Sequence, residues 1–318
     1  MTHKSTQKIP LDLTTKRILL FLAIAFIPTY LAEITVMPPL YTSTKVNDQV
    51  LATLLTSMVM FIPALSVFLT RIITKEGFKG TSYIAPKNGT KAVPYFLIGW
   101  FLPSLLTLIG AGIYFFLYPE KFDPNMGYLT SLMTAQGIEA TPVLVKTTVI
   151  SQFVSGILLA PALNFVNCFG EEWGWRGYLL PKMLEKYKML PTLIISGFIW
   201  GLWHSPIIVL GHNYGTSYPG YPYLGIFAMC IFCTAIGILF SYITIRTGSC
   251  LPAVLAHGSV NGFAAIGMLY TDGTVSEPLL GPVPTGIIGG SAFLLCAVLM
   301  TFLLIKNPHP ATKVIVEK

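Results

Sequence analysis

The feature that most constrains this chain is a succession of long, uninterrupted apolar runs. A helix that crosses a bilayer needs about 20 mostly apolar residues. Runs of that order recur over 18–38, 50–73, 93–118, 147–170 with a continuation, 191–210, 222–245, 250–270 and 283–305. A chain of 318 residues that is 53% hydrophobic and only 10% charged has more apolar surface than a soluble core can hide. The runs are continuous rather than alternating and far longer than barrel strands, which excludes a membrane β-barrel. The sequence therefore predicts an all-α fold, a polytopic transmembrane helical bundle of about eight helices. Tails over 1–17 and 306–318 flank a single transmembrane domain over 18–305. The first run reads as a membrane helix and not a signal peptide: it is too long, carries Pro28 and Glu33, and is followed by no small-residue cleavage site. No internal repeat or low-complexity tract interrupts the pattern.

The cations orient the bundle. With the N-terminus in the cytosol, the inner segments hold all of the 20 lysines and arginines except Lys45, Lys121 and Lys146. Such a bias is the positive-inside signature, and it predicts that both termini are cytosolic. It also accounts for the net charge of +7 through anionic lipid headgroups, with no need of nucleic acid as a partner. Cys230 and Cys233 have a C-x-x-C spacing inside an apolar run, with no second pair, and read as small buried residues.

Against this background the polar groups inside the apolar runs carry the signal, because an ionisable residue within a membrane helix is costly and faces a cavity or a partner. Three places qualify: Glu171, Glu172 and Arg176 in "GEEWGWRG"; His204 in "FIWGLWHSP"; and His257 with Asn261 in "LAHGSVNG". Glu172 and Arg176 are four residues apart and share a helix face, with the acid on the favourable N-terminal side. Trp200 and His204 have the same spacing, as do His257 and Asn261, so each motif presents two groups on one stripe of its helix. If the fourth helix continues past Gly177 to a turn near 187–190, Glu171 and His204 come level. Pro181 is expected to kink or break that continuation.

Read singly, each motif also has a structural explanation. Glu172 and Arg176 could be an ion pair at a helix end, His204 a packed interfacial histidine beside Trp203, and His257 with Asn261 an interhelical hydrogen-bond pair. His212, in "GHNYGTSYPGYPY", falls in an uncharged outer loop expected to form a lid or aromatic belt with no catalytic role. His3 and His309 fall in the tails.

Taken together and in order, the three motifs resemble those of the CPBP intramembrane proteases. That family includes the CAAX prenyl endopeptidases of the Rce type and bacterial Abi-like homologues linked to bacteriocin self-immunity. The resemblance covers about residues 150–270, and the one departure is Trp200 where the family pattern usually has Phe. It implies an eight-helix endopeptidase with a site open to the cytosol, cleaving lipidated or membrane-associated substrates near their C-termini. The implied setting is most simply a bacterial plasma membrane.

The chemistry of the residues is compatible with a hydrolase. Peptide hydrolysis needs an activated water and a stabilised oxyanion. Glu171 is suited to general base, His204 to holding the water, and His257 and Asn261 to the oxyanion. Arg176 would keep Glu172 fixed and ionised. Gly174 and Gly177 would allow close helix approach. Glu171, His204 and His257 also form a two-histidine, one-carboxylate set of the kind that leaves catalytic zinc an open position. No His-Glu-x-x-His helix is present and Asn261 is a poor zinc ligand, so resemblance to the Rce-type members favours a metal-free glutamate mechanism. Two other readings compete: a non-proteolytic immunity or scaffold protein, and an ion-coupled transporter. The transporter reading is weakened by the lack of an inverted repeat.

Overall fold

The computed structural model describes residues 12–78, 83–87, 89–273 and 277–307. His3, His309, Lys4, Lys8, Lys79, Lys313 and Lys318 lie outside the described residues, as does most of each tail. In chain order the apolar helices are α1 (Leu13–Val36), α2 (Val46–Ile73), α3 (Gly89–Leu117), α4 (Pro142–Leu158), α5 (165–184), α6 (Met189–Trp203), α7 (Tyr223–Thr247), α8 (Leu251–Tyr270) and α9 (Ser291–Lys306). No strand occurs among the described residues. Helices α1, α2, α3, α7 and α8 are long and apolar enough to cross a membrane, and α4, α6 and α9 are shorter apolar helices. The protein is thus an integral membrane protein built as a polytopic helical bundle. Large apolar side chains such as Phe116, Leu295 and Val298 stay exposed on its outer surface, where a bilayer would cover them.

The fourth apolar run departs from expectation in an instructive way. The chain breaks after α4, at Leu159–Asn164 around Pro161, and resumes as α5. Pro181, where a break was expected, is accommodated within α5. A π turn at Trp175–Leu179 precedes it, and Pro181 then occupies the first turn of the next helical stretch, Leu180–Leu184, where its missing N–H costs little. The helix therefore continues to Leu184 before turning into α6.

Helix α7 packs against α6, α8 and α9 and is the most buried of the long helices. Two close approaches set the geometry around the motifs. A Cβ at Gly170 would stand 2.6 Å from the Met60 carbonyl oxygen, and one at Gly174 would stand 2.5 Å from Pro63 Cβ, so α5 lies directly on the bend in α2. Gly197 and Gly201 let α6 meet the backbone of Thr234 and Cys230 on α7 in the same manner. Gly177 differs from expectation: its nearest neighbour is the Trp173 ring of its own helix, and Gly170 takes the packing role instead. The described cysteines, Cys230 and Cys233 included, are free and buried.

One end of the bundle is tied by charge. Glu76 bonds Lys182 at 2.8 Å, accepts from Tyr178 Oη at 2.9 Å and lies 3.5 Å from Arg17. Lys186 pairs with Asp12 alongside. Burial pushes the Glu76 carboxyl up, but the hydrogen bonds from Lys182 and Tyr178 and the charges of Lys182 and Arg17 outweigh it and hold it below its ordinary value of 4.5. Backbone bonds from Lys87 to Thr247 and from Cys250 to Tyr83 join the α7–α8 turn to the segment before α3. The opposite end is closed by bonds such as Tyr214 Oη to the Thr285 carbonyl and Tyr128 N–H to the Thr271 carbonyl.

Candidate active site

Helix α5 carries the first motif into the interior. Glu171 and Glu172 are 2% and 0% exposed, and Arg176, in the π turn, is 3% exposed. Arg176 Nη1 donates to Glu172 Oε1 at 3.0 Å. The guanidinium also sits 4.0 Å from the centroid of the Trp200 ring and 5.1 Å from that of Phe240. Its charge is therefore balanced by one carboxylate and covered by two aromatic faces.

His257, on α8, turns Nδ1 to the same Glu172 oxygen at 2.9 Å. A carboxylate in that position makes Nδ1 the donating nitrogen and leaves Nε2 as the ring's other polar atom. Glu172 thus orients a histidine as well as pairing with Arg176, a larger part than the sequence assigns to it.

His204 owes its placement to the way α6 ends. Its N–H bonds the Gly201 carbonyl, a tightened last turn, and the Trp200 carbonyl accepts from His204 Nδ1 at 2.9 Å. Because a carbonyl can only accept, Nδ1 carries the proton and Nε2 keeps its lone pair. Trp200, 1% exposed, donates Nε1–H to Glu171 Oε2 at 2.8 Å. Its ring meets those of His204 and His257 edge-on, with centroids 5.8 and 5.5 Å away. Trp200 stands where the family pattern usually has Phe, and the hydrogen bond to Glu171 is one that Phe could not make.

Glu171, His204, His257 and Asn261 all line one cavity of about 150 Å³, with Trp200 in its wall. Asn261 is exposed to it and reaches Cys168 Sγ at 3.7 Å. The structure therefore brings all three motifs together. It adds residues that the motifs did not announce: Glu33 from α1, and His212 and Asn213 from the loop after α6. Left-handed Gly211 (φ 92°) and Asn213 (φ 66°) fold that loop inward. His212, expected in an outer loop acting as a lid or aromatic belt, lines the cavity from that loop. Glu33 carried a usable signal, an acid in an apolar run; the loop sequence around His212 carried none.

Among the described residues no three His, Cys, Asp or Glu side chains are placed to hold one metal ion. Glu171 Oε2 is bonded to Trp200, and His204 and His257 turn Nδ1 to the Trp200 carbonyl and to Glu172, which leaves both Nε2 atoms open.

Residues 153–263 match the family model described as Rce1-like, Type II CAAX prenyl endopeptidase Rce1-like. That segment is Rce1-like. It contains every motif residue from Glu171 to Asn261, so the family anticipated from the motifs is the one matched. A stretch of 44 residues is 39% identical to CAAX prenyl protease 2 of Methanococcus maripaludis, covering 14% of this chain and 16% of that protein. Helices α1, α2, α3 and α9 lie outside the Rce1-like segment, and Glu33 with them.

Proposed function

We propose that the protein is an intramembrane endopeptidase that cleaves membrane-associated or lipidated peptides by a metal-free glutamate mechanism. The observation that carries this reading is the convergence of Glu171, His204, His257 and Asn261, all within the Rce1-like segment, on one cavity. In this reading a water lies between Glu171 and the lone pair of His204 Nε2. Glu171 takes a proton as the water attacks the scissile carbonyl and returns it to the leaving amine. Asn261 Nδ2 donates to the oxyanion. This reading assigns the oxyanion to His257 Nε2 as well, with Glu172 holding the ring from the Nδ1 side.

The distribution of charge bears on the side from which substrate arrives. The cavity draws lining from His212, Asn213 and Thr285, at the end opposite the Arg17, Glu76 and Lys182 cluster. By the positive-inside rule the cluster is cytosolic, as are both termini, in a plasma membrane. The cavity then runs from mid-bundle residues such as Ile236 and His257 toward the non-cytosolic side, against the cytosolic opening implied by the family resemblance. This orientation favours membrane peptides presented from outside over prenylated cytosolic tails.

The test is cleavage kinetics in lipid nanodiscs. Glu171→Ala, His204→Ala and His257→Ala should abolish cleavage in folded protein, and Asn261→Ala should slow it by roughly 10²- to 10³-fold, the scale of one oxyanion donor. Full cleavage by Glu171→Ala would overturn Glu171 as the base, and no cleavage by folded wild type would favour the immunity or scaffold reading. Proton flux lost in Glu171→Gln would favour a transporter.

A further inference from the structure

Glu33 is not used by the mechanism above. It lies in the π turn Ala32–Val36 that ends α1, is 3% exposed, and lines the cavity that also holds Glu171. The Ile207 backbone N–H meets its carboxylate, while Oε2 is buried with no hydrogen-bond partner among the described residues. An acid at this depth is costly enough that it either serves a partner or is lost.

The charges in and around the cavity indicate the sign of that partner. Glu172 is matched by Arg176 and His257. The residues lining the cavity include Glu33 and Glu171 but no lysine or arginine. Glu171 has Trp200 as a donor and the motif histidines beside it. Glu33 is left as a carboxyl group with an open oxygen and no lysine or arginine among the residues lining the cavity. A cavity of about 150 Å³ is of a size to admit one side chain, and a guanidinium or ammonium brought in by a peptide would supply the missing charge.

We propose that Glu33 is a specificity-determining residue that binds the cationic side chain, lysine or arginine, of a peptide entering the cavity. For the term "substrate" this rests on the peptidase reading; the binding itself does not. Because Glu33 is outside the Rce1-like segment, the preference would belong to this chain's own α1 and not to the shared motifs.

The experiment uses full-length protein in nanodiscs and probes that mimic an arginine side chain with and without its charge, butylguanidinium and butylurea. Thermal unfolding is followed against probe concentration. Wild type should be stabilised by butylguanidinium and not by butylurea. Glu33→Gln should weaken the apparent affinity at least about tenfold, the order expected when one partner of a desolvated charge pair is removed. Glu33→Asp, which keeps the charge, should retain a measurable shift and guards against a folding failure of the Gln variant. Glu171→Gln should retain most of the shift. No stabilisation of wild type, equal stabilisation by both probes, or a shift that survives in Glu33→Gln would overturn the proposal. A shift abolished in Glu171→Gln alone would move the cation to the catalytic carboxylate and overturn it as well. If the protein never cleaves a peptide, the peptidase reading fails and this binding result still stands.

Discussion

At the scale of single residues, the candidate site is a set of atoms whose free valences have been fixed by their neighbours. Trp200 is the clearest case, because its Nε1–H holds Glu171 Oε2 and its carbonyl holds His204 Nδ1, so one residue orients both groups proposed to act on the water. Trp200→Phe keeps an aromatic ring and the carbonyl, removes the indole donor and leaves some buried volume unfilled, which should lower Tm. A hydrogen bond to a charged group contributes about 1.5–3 kcal/mol, so kcat/KM of the folded variant should fall roughly 10- to 100-fold. An unchanged kcat/KM would mean that the indole serves packing alone. The sequence made the reacting groups legible, since Glu171, His204 and His257 stand out in apolar surroundings. It could not give the second atom of each group: that Glu172 Oε1 serves both Arg176 and His257 depends on α8 crossing α5, a contact between residues 85 positions apart.

At the scale of elements, helix extents followed directly from apolar run length, while interruptions did not. Pro161 and Pro181 look alike in sequence, yet the first marks a break and the second sits in a continuing helix, because a π turn before Pro181 takes up the register. The contact of α5 with the bend in α2 rests on glycines, so Gly174→Leu should force the helices apart and lower Tm sharply by steric clash with Pro63. An unchanged Tm would show that this contact can relax. Where α1 begins and α2 and α5 end, Glu76 is held below its ordinary value of 4.5, so its contribution is full above that pH and fades as the pH falls through the lowered value. The Tm difference between wild type and Glu76→Gln should accordingly be largest near neutrality and shrink in acid. A difference independent of pH would show that Glu76 acts by packing and not by charge.

At the scale of the whole molecule, the bundle separates a cationic end from a cavity that reaches toward the other end. Its apolar exterior and buried acids make sense only with lipid around it. Composition alone was enough to reveal that much, but not the entry of α1 and the 210–214 loop into the cavity wall, which is a product of tertiary packing. The central claim is proteolysis by Glu171, and the most direct measurement compares protein termini in membranes from matched cells expressing wild type or Glu171→Ala at equal levels of folded protein. New termini present only with the wild type, within membrane-associated proteins and on their non-cytosolic side, are the predicted result. Identical sets of termini in the two membranes would contradict it.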